Sequence, residues 1–118
     1  MRIVVCDDST VERTQTARML REGGHEIVAQ CVDGIEALAA VAQLQPDCVV
    51  LDVVMRRMSG DAAALAMRER GYTGAIVMVS HHSSTALRSA AETVGATLCP
   101  KPFRISDILN AVSRTIGV

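Results

Sequence analysis

Three segments of this chain are apolar at every position, with no polar residue at alternate sites: Ile3-Val4-Val5-Cys6, Cys48-Val49-Val50-Leu51 and Ala75-Ile76-Val77-Met78-Val79. Strands that show one face to water alternate apolar and polar residues. Short β-branched runs without alternation belong to strands covered on both faces, the situation inside a parallel sheet. Two weaker runs, Glu26 to Cys31 and Ala96 to Cys99, bring the strand count to five. Helical periodicity fills the spaces between them. Ile35, Leu38, Ala39 and Ala42 fall at i, i+3, i+4 and i+7, as do Ile105, Ile108, Leu109 and Val112, with Ile116 one turn further on. Ala86, Leu87, Ala90, Ala91 and Val94 form an Ala-rich stripe. The first helix has a thinner apolar face, mainly Val11, Ala17, Met19 and Leu20, but Ser9 and Glu12 stand at capping-box spacing at its start. Glycines punctuate the boundaries, and no linker, repeat or low-complexity segment interrupts the alternation. The pattern predicts one α/β domain over residues 1–118, a doubly wound sheet with helices on both faces.

Composition narrows the function classes. Phe103 and Tyr72 are the only aromatic residues, so the core is expected to consist of Val, Ile, Leu, Met and Ala. No apolar run approaches the roughly 20 residues of a membrane span, and the N-terminus lacks a secretory or transit pattern. The expected location is the cytoplasm. A formal net charge of -1 argues against direct nucleic-acid or membrane-surface binding, and the pair Arg56-Arg57 is too small a basic cluster to alter that. The four cysteines, Cys6, Cys31, Cys48 and Cys99, lack the close spacing of zinc or redox motifs. Each lies in or beside an apolar run and reads as a buried, reduced core residue.

In doubly wound folds chemistry gathers at the carboxyl ends of the strands. Here the first strand leads into Asp7-Asp8, the third into Asp52, the fourth into Ser80 and the fifth into Lys101. Three carboxylates sharing a crevice repel one another unless a cation lies among them, and a hard divalent ion with oxygen ligands, Mg²⁺ above all, suits such a set. Helix capping accounts for one of Asp7 and Asp8, but not for the acid that ends the third strand as well. Asp52 is the candidate nucleophile, since a carboxylate can attack phosphorus to give an acyl phosphate. A hydroxyl and an ammonium, Ser80 and Lys101, would hold the phosphoryl oxygens. Lys101 is the only lysine in a chain whose other basic residues are arginines. A compact point charge at that one position fits a crowded phosphate site better than a solvated surface.

With these residues in order, the chain resembles response-regulator receiver domains from Ile3 to about Ile116. The resemblance rests on Asp7-Asp8, the stretch Asp52-Val53-Val54-Met55-Arg56-Arg57-Met58-Ser59-Gly60, Ser80, and Lys101-Pro102-Phe103. It implies a flavodoxin-like sheet of order 2-1-3-4-5. It further implies phosphorylation of Asp52 by a sensor histidine kinase or a phosphotransfer protein, and Mg²⁺ held by Asp7, Asp8, Asp52 and the backbone carbonyl of Val54. Ser80 and Lys101 would bind phosphoryl oxygens, the Lys101-Pro102 peptide would be cis, and Phe103 would be a packing residue. The output would pass to a downstream protein or a second copy through the fourth helix, fifth strand and fifth helix. The resemblance describes a signalling domain that assists its own phosphoryl transfer and autodephosphorylation, not a conventional enzyme.

Three positions depart from the family pattern. Arg56 replaces the proline of the family's Asp-x-x-Met-Pro loop. His81 follows Ser80 where a small residue is usual, so it is expected to crowd or gate the site. His81 and His82 are otherwise read as exposed loop residues. Leu98 stands where many receivers carry the Tyr or Phe that reports phosphorylation. Pro100 removes a backbone donor just before Lys101, which the edge position expected for the fifth strand tolerates.

Two alternatives stand beside the phosphorylation switch: a receiver-fold interaction module not regulated by phosphate, and an excised receiver of a larger DNA-binding or enzymatic regulator. A metabolic enzyme is disfavoured by the lack of a dinucleotide or Walker glycine motif. A dehalogenase-type phosphatase needs a second acid two residues after the nucleophile, where this chain has Val54.

Overall fold

A computed structural model describes residues 1–115 of the chain; Ile116, placed on the last helix by its periodicity, lies outside them. Five strands alternate with five helices: β1 (Arg2–Cys6), α1 (Thr10–Glu22), β2 (Glu26–Cys31), α2 (Gly34–Leu44), β3 (Cys48–Asp52), α3 (Gly60–Glu69), β4 (Ala75–Ser80), α4 (Thr85–Val94), β5 (Thr97–Pro100) and α5 (Ile105–Thr115). All strands are parallel, in the order β2-β1-β3-β4-β5. The expected fold is therefore the observed one.

The uniformly apolar runs occupy the three central strands for the reason anticipated. Val4 and Cys6 of β1 point into one core with Ala37, Leu38, Val41, Ala63, Ala64 and Met67 from α2 and α3, joined by Ala91 and Val94 of α4. Ile3 and Val5 point into the other core, against Leu20 of α1 and Ile108, Ala111 and Val112 of α5. Every residue of β3 and β4 is buried. The side-chain period of two sends successive residues to opposite faces, so both faces must be apolar. Phe103 packs against the α1/α5 core, as the family resemblance implied. All four cysteines are buried free thiols, and burial pushes Cys48 up to about 12.

The buried stripes of three helices differ from the periodicity reading; on α4, Ala86 is exposed and only Ala91 and Val94 are buried. Val11 is 67% exposed, and Thr16 takes its place beside Ala17 and Leu20 on the buried face of α1. On α2 the buried set is Gly34, Ala37, Leu38 and Val41, while Ile35, Ala39 and Ala42 face outward. α2 is apolar nearly all round, so spacing alone left its rotation open. The sheet and α3 chose the face that carries Val41.

Candidate functional site

The carboxyl ends of β1, β3, β4 and β5 meet on one rim, and each brings its chemistry by local geometry. The Asp7 N–H continues the sheet by donating to the Cys31 carbonyl at 3.0 Å, which fixes the first acid beyond β1. Asp52 is the last residue of β3 and is in register with Val79 of β4. Gly60 lets the start of α3 lie directly against β3. A Cβ there would run into the Asp52 carbonyl, and the Gly60 N–H donates to the Val53 carbonyl at 2.8 Å. Ser80 ends β4, and its carbonyl accepts the Lys101 N–H at 2.8 Å, which sets the lysine beside it although Pro100 offers no donor. The Lys101-Pro102 peptide is cis, as the family resemblance implied. β5 lies at the sheet edge, where Pro100 is tolerated.

The side chains converge. Lys101 Nζ lies 2.8 Å from Asp7 Oδ2, 3.2 Å from Glu12 Oε1 and 3.5 Å from Asp52 Oδ2, with the lysine side chain 3% exposed. Carboxylate oxygens of Asp7, Asp8 and Asp52 all lie within 4.8 Å of one another. Burial first, and then the negative charge of Asp7, push the Asp52 carboxyl up to about 6, although Lys101 pulls the other way. Burial works against the Lys101 ammonium too. The hydrogen bond to Asp7 and the charges of Asp52 and Asp7 outweigh it and hold the lysine above its usual value.

Three acids gathered about one buried ammonium remain short of positive charge. The donor set is all oxygen, two of its members are buried, and Asp8 is half-buried at the opening. A hard divalent cation fits that chemistry, whereas a thiophilic metal does not. The Val53 N–H donates to the Val79 carbonyl and the Val53 carbonyl accepts from Gly60. Both Val53 backbone groups are thus engaged, whereas among the described residues none donates to the Val54 carbonyl. The Val54 side chain is exposed.

Ser80 is buried, and its hydroxyl accepts the His82 N–H at 3.0 Å, a tie that shapes the β4–α4 loop. Ser80, His82, Val53, Val54, Asp61 and Leu87 line a cleft between the starts of α3 and α4. The structure thus gathers Asp7, Asp8, Asp52 and Lys101, with Ser80 joined to Lys101 through its backbone carbonyl and Val54 exposed two residues after Asp52.

Two features escaped the sequence reading. Glu12 was read as a capping residue and is a partner of Lys101; its position one helical turn after Asp8 was the available signal. His81 is exposed, as its loop position suggests, and its Nε2 lies 2.9 Å from Glu12 Oε1, a partner the sequence does not indicate. The second feature is a clamp. Arg57 adopts a left-handed backbone (φ 64) and its guanidinium reaches Asp33 Oδ2 at 2.7 Å, while the Asp33 side chain also caps α2 by accepting the Glu36 N–H at 2.9 Å. The Gly34 N–H donates to the Met58 carbonyl at 3.0 Å, so the loop after Asp52 is pinned to the start of α2. Arg56 is exposed, and it is the neighbouring arginine that makes the ion pair.

A doubly wound five-stranded domain whose rim joins an acid triad to a buried lysine defines a class of signalling receivers. The chain belongs to the response regulator receiver domain family, whose model matches residues 3–113. It is 30% identical to the transcriptional regulatory protein PdtaR of Mycobacterium tuberculosis over 98% of this chain and 57% of that protein. It is 36% identical to the response regulator MprA of Mycobacterium leprae over 92% of this chain and 48% of that protein. The chain thus spans about half the length of these curated relatives. Among solved structures, the chemotaxis protein CheY4 of Vibrio cholerae superposes with a TM-score of 0.86 at 28% identity, over 97% of each chain. Receiver domains of this family are two-component signalling modules, not enzymes in the classical sense. No described helix is long and apolar enough to cross a membrane.

Proposed function

We propose that residues 1–118 act as one receiver domain that accepts a phosphoryl group on Asp52 and changes its binding surface in response. The observation that carries this reading is the buried Lys101 ammonium held between Asp7 and Asp52, at 2.8 and 3.5 Å, in a pocket that also holds Asp8. An Asp52 oxygen attacks phosphorus, and the O–P bond forms as the donor's P–N bond breaks. The electron pair departs on the imidazole nitrogen of a sensor kinase or phosphotransfer protein. Lys101, already within reach of Asp52, neutralises a phosphoryl oxygen, and Ser80 turns its hydroxyl from the His82 N–H towards another. Positioning and charge neutralisation are most of what phosphoryl transfer asks of a protein. Asp7, Asp8, Asp52 and the Val54 carbonyl would hold Mg²⁺, which supplies charge neutralisation at the phosphoryl oxygens when bound. The same pocket admits water to the acyl phosphate and so supports autodephosphorylation.

Release of the Ser80–His82 tie gives the switch its movable part. α4 buries only Ala91 and Val94, so a shift of the β4–α4 loop moves a helix with little to hold it. The output surface would be the α4–β5–α5 face, meeting a downstream protein or a second copy, with Leu98 half-buried on it in place of an aromatic residue. The coverage of about half of PdtaR and MprA supports a second reading, in which this receiver serves a longer regulator.

Intact mass after incubation with acetyl phosphate and Mg²⁺ tests the chemistry. A gain of one phosphoryl group in the wild type, absent in Asp52→Asn and absent when Mg²⁺ is chelated, is the expected result. A wild type that gains nothing leaves an interaction module not regulated by phosphate.

A further inference from the structure

The capping-box pattern assigns the Glu12 carboxylate to the start of its own helix, reaching back to the Ser9 N–H. Only half of that box forms. Ser9 Oγ accepts the Glu12 N–H at 3.3 Å, but the Ser9 N–H donates to Asp7 Oδ1 at 2.9 Å. With that donor taken, the Glu12 carboxylate turns the other way. A single oxygen, Oε1, accepts from His81 Nε2 at 2.9 Å and faces Lys101 Nζ at 3.2 Å. It links α1 to the β4–α4 loop and to the lysine after β5, along a wall that Gln15, Thr16 and Phe103 complete.

The Lys101 ammonium donates to Asp7 Oδ2 at 2.8 Å and pairs by charge with Glu12 at 3.2 Å and Asp52 at 3.5 Å, so three carboxylates share its three N–H groups. A phosphoryl group on Asp52 brings new acceptors that need one of them. Asp7 cannot yield, since its side chain is 3% exposed and its other oxygen holds Ser9. Glu12 can: its side chain is 37% exposed and that of His81 54%, so both reach water by rotating outward. The hydrogen bond from His81, opposed by partial burial and reinforced by Lys101, holds the Glu12 carboxyl below its usual range. Glu12 is therefore a fourth negative charge at the pocket at neutral pH.

We propose that Glu12 and His81 form a latch on Lys101: Glu12 occupies the ammonium in the resting protein, His81 holds Glu12 there, and an arriving phosphoryl group must displace the glutamate. The latch rests on the reading of Asp52 as phosphoacceptor. Neither residue touches the nucleophile, so both are positioning residues that act through Lys101. The latch slows entry of an anionic donor by charge and by competition for one hydrogen-bond donor. His81 matters only through the glutamate that it restrains.

The test is the rate of phosphorylation by acetyl phosphate at saturating Mg²⁺, followed by intact mass in the wild type, Glu12→Gln, His81→Ala, His81→Gln and the Glu12→Gln/His81→Ala double variant. Removing the charge in Glu12→Gln raises the rate by about 3- to 10-fold, the range in which a single rim charge alters the approach of a charged partner. His81→Ala raises it less, His81→Gln keeps a donor for Glu12 and the wild-type rate, and the double variant is no faster than Glu12→Gln alone. Mg²⁺ affinity, measured by calorimetry for each variant, sets the concentration at which every variant is saturated, so that loss of a negative charge near the acid triad does not enter the rate comparison. A Glu12→Gln rate equal to or below the wild type's overturns the latch, as do additive effects of the two substitutions. A wild type that takes no phosphoryl group overturns the parent reading and the latch with it, so the two failures are told apart.

Discussion

The two halves of the sheet are held in different ways. β1 and β3, which deliver Asp7 and Asp52, lie at the centre with both faces covered, and the loop after Asp52 is fastened by Gly60 and the Arg57–Asp33 pair. The β4–α4–β5 side delivers Ser80 and Lys101. Its helix buries two residues, its loop from His81 to Ser84 is exposed, and the Ser80 hydroxyl is tied by one bond to the backbone of His82. Charges that must be gathered against their own repulsion sit where packing is deepest. The helix that would report a change sits where little packing opposes motion, which is where low-stability segments are found.

Substitutions on either side sharpen this contrast. The largest effect is expected at Leu51, fully buried in β3. Leu51→Ala should lose about 3 kcal/mol of stability in urea unfolding, the usual range for a leucine deleted from a tight core. A loss below 1 kcal/mol would mean that the centre of the sheet is no firmer than its edge.

Next comes Asp52→Asn. The folded carboxyl keeps its proton up to about pH 6, whereas an unfolded one releases it near 3.8. Its contribution to stability is therefore present below the unfolded value and is lost as pH rises through about 6. In metal-free buffer the asparagine variant escapes that loss. It should be more stable than the wild type above pH 6 by at most about 3 kcal/mol, one pKa unit being worth about 1.4 kcal/mol. The difference between the two urea-derived stability curves, taken from pH 4 to pH 7, measures it. A flat difference would show that the acids do not repel one another as their packing implies.

The smallest effect belongs to α4. Leu87, half-buried, should cost less than about 1 kcal/mol as Leu87→Ala. Amide exchange in α4 should be faster than in β3 in the same sample, because helices with few buried contacts open locally. Equal protection in the two elements would erase the contrast.

Much of this could be read before folding. The apolar runs without alternation named the central strands, because a strand covered on both faces has no position for a polar residue. The residues directly after them named Asp7, Asp8, Asp52, Ser80 and Lys101, because parallel strands end their chemistry on one rim. The exposed Val11 and the rotated face of α2 were misread for a common reason: an apolar residue at helical spacing does not say which neighbour will cover it.

What the sequence determined by itself is therefore whatever is local: strand type, strand ends and the residue types that follow them. Tertiary structure alone decided which partners those residues took. Lys101 meets Asp7 across 94 positions of chain and His81 meets Glu12 across 69. Glu12 loses its local role at the helix start because Asp7 takes the Ser9 N–H, and its carboxylate turns to His81 and to the buried ammonium. Such a preference depends on distances that exist only after the chain has closed.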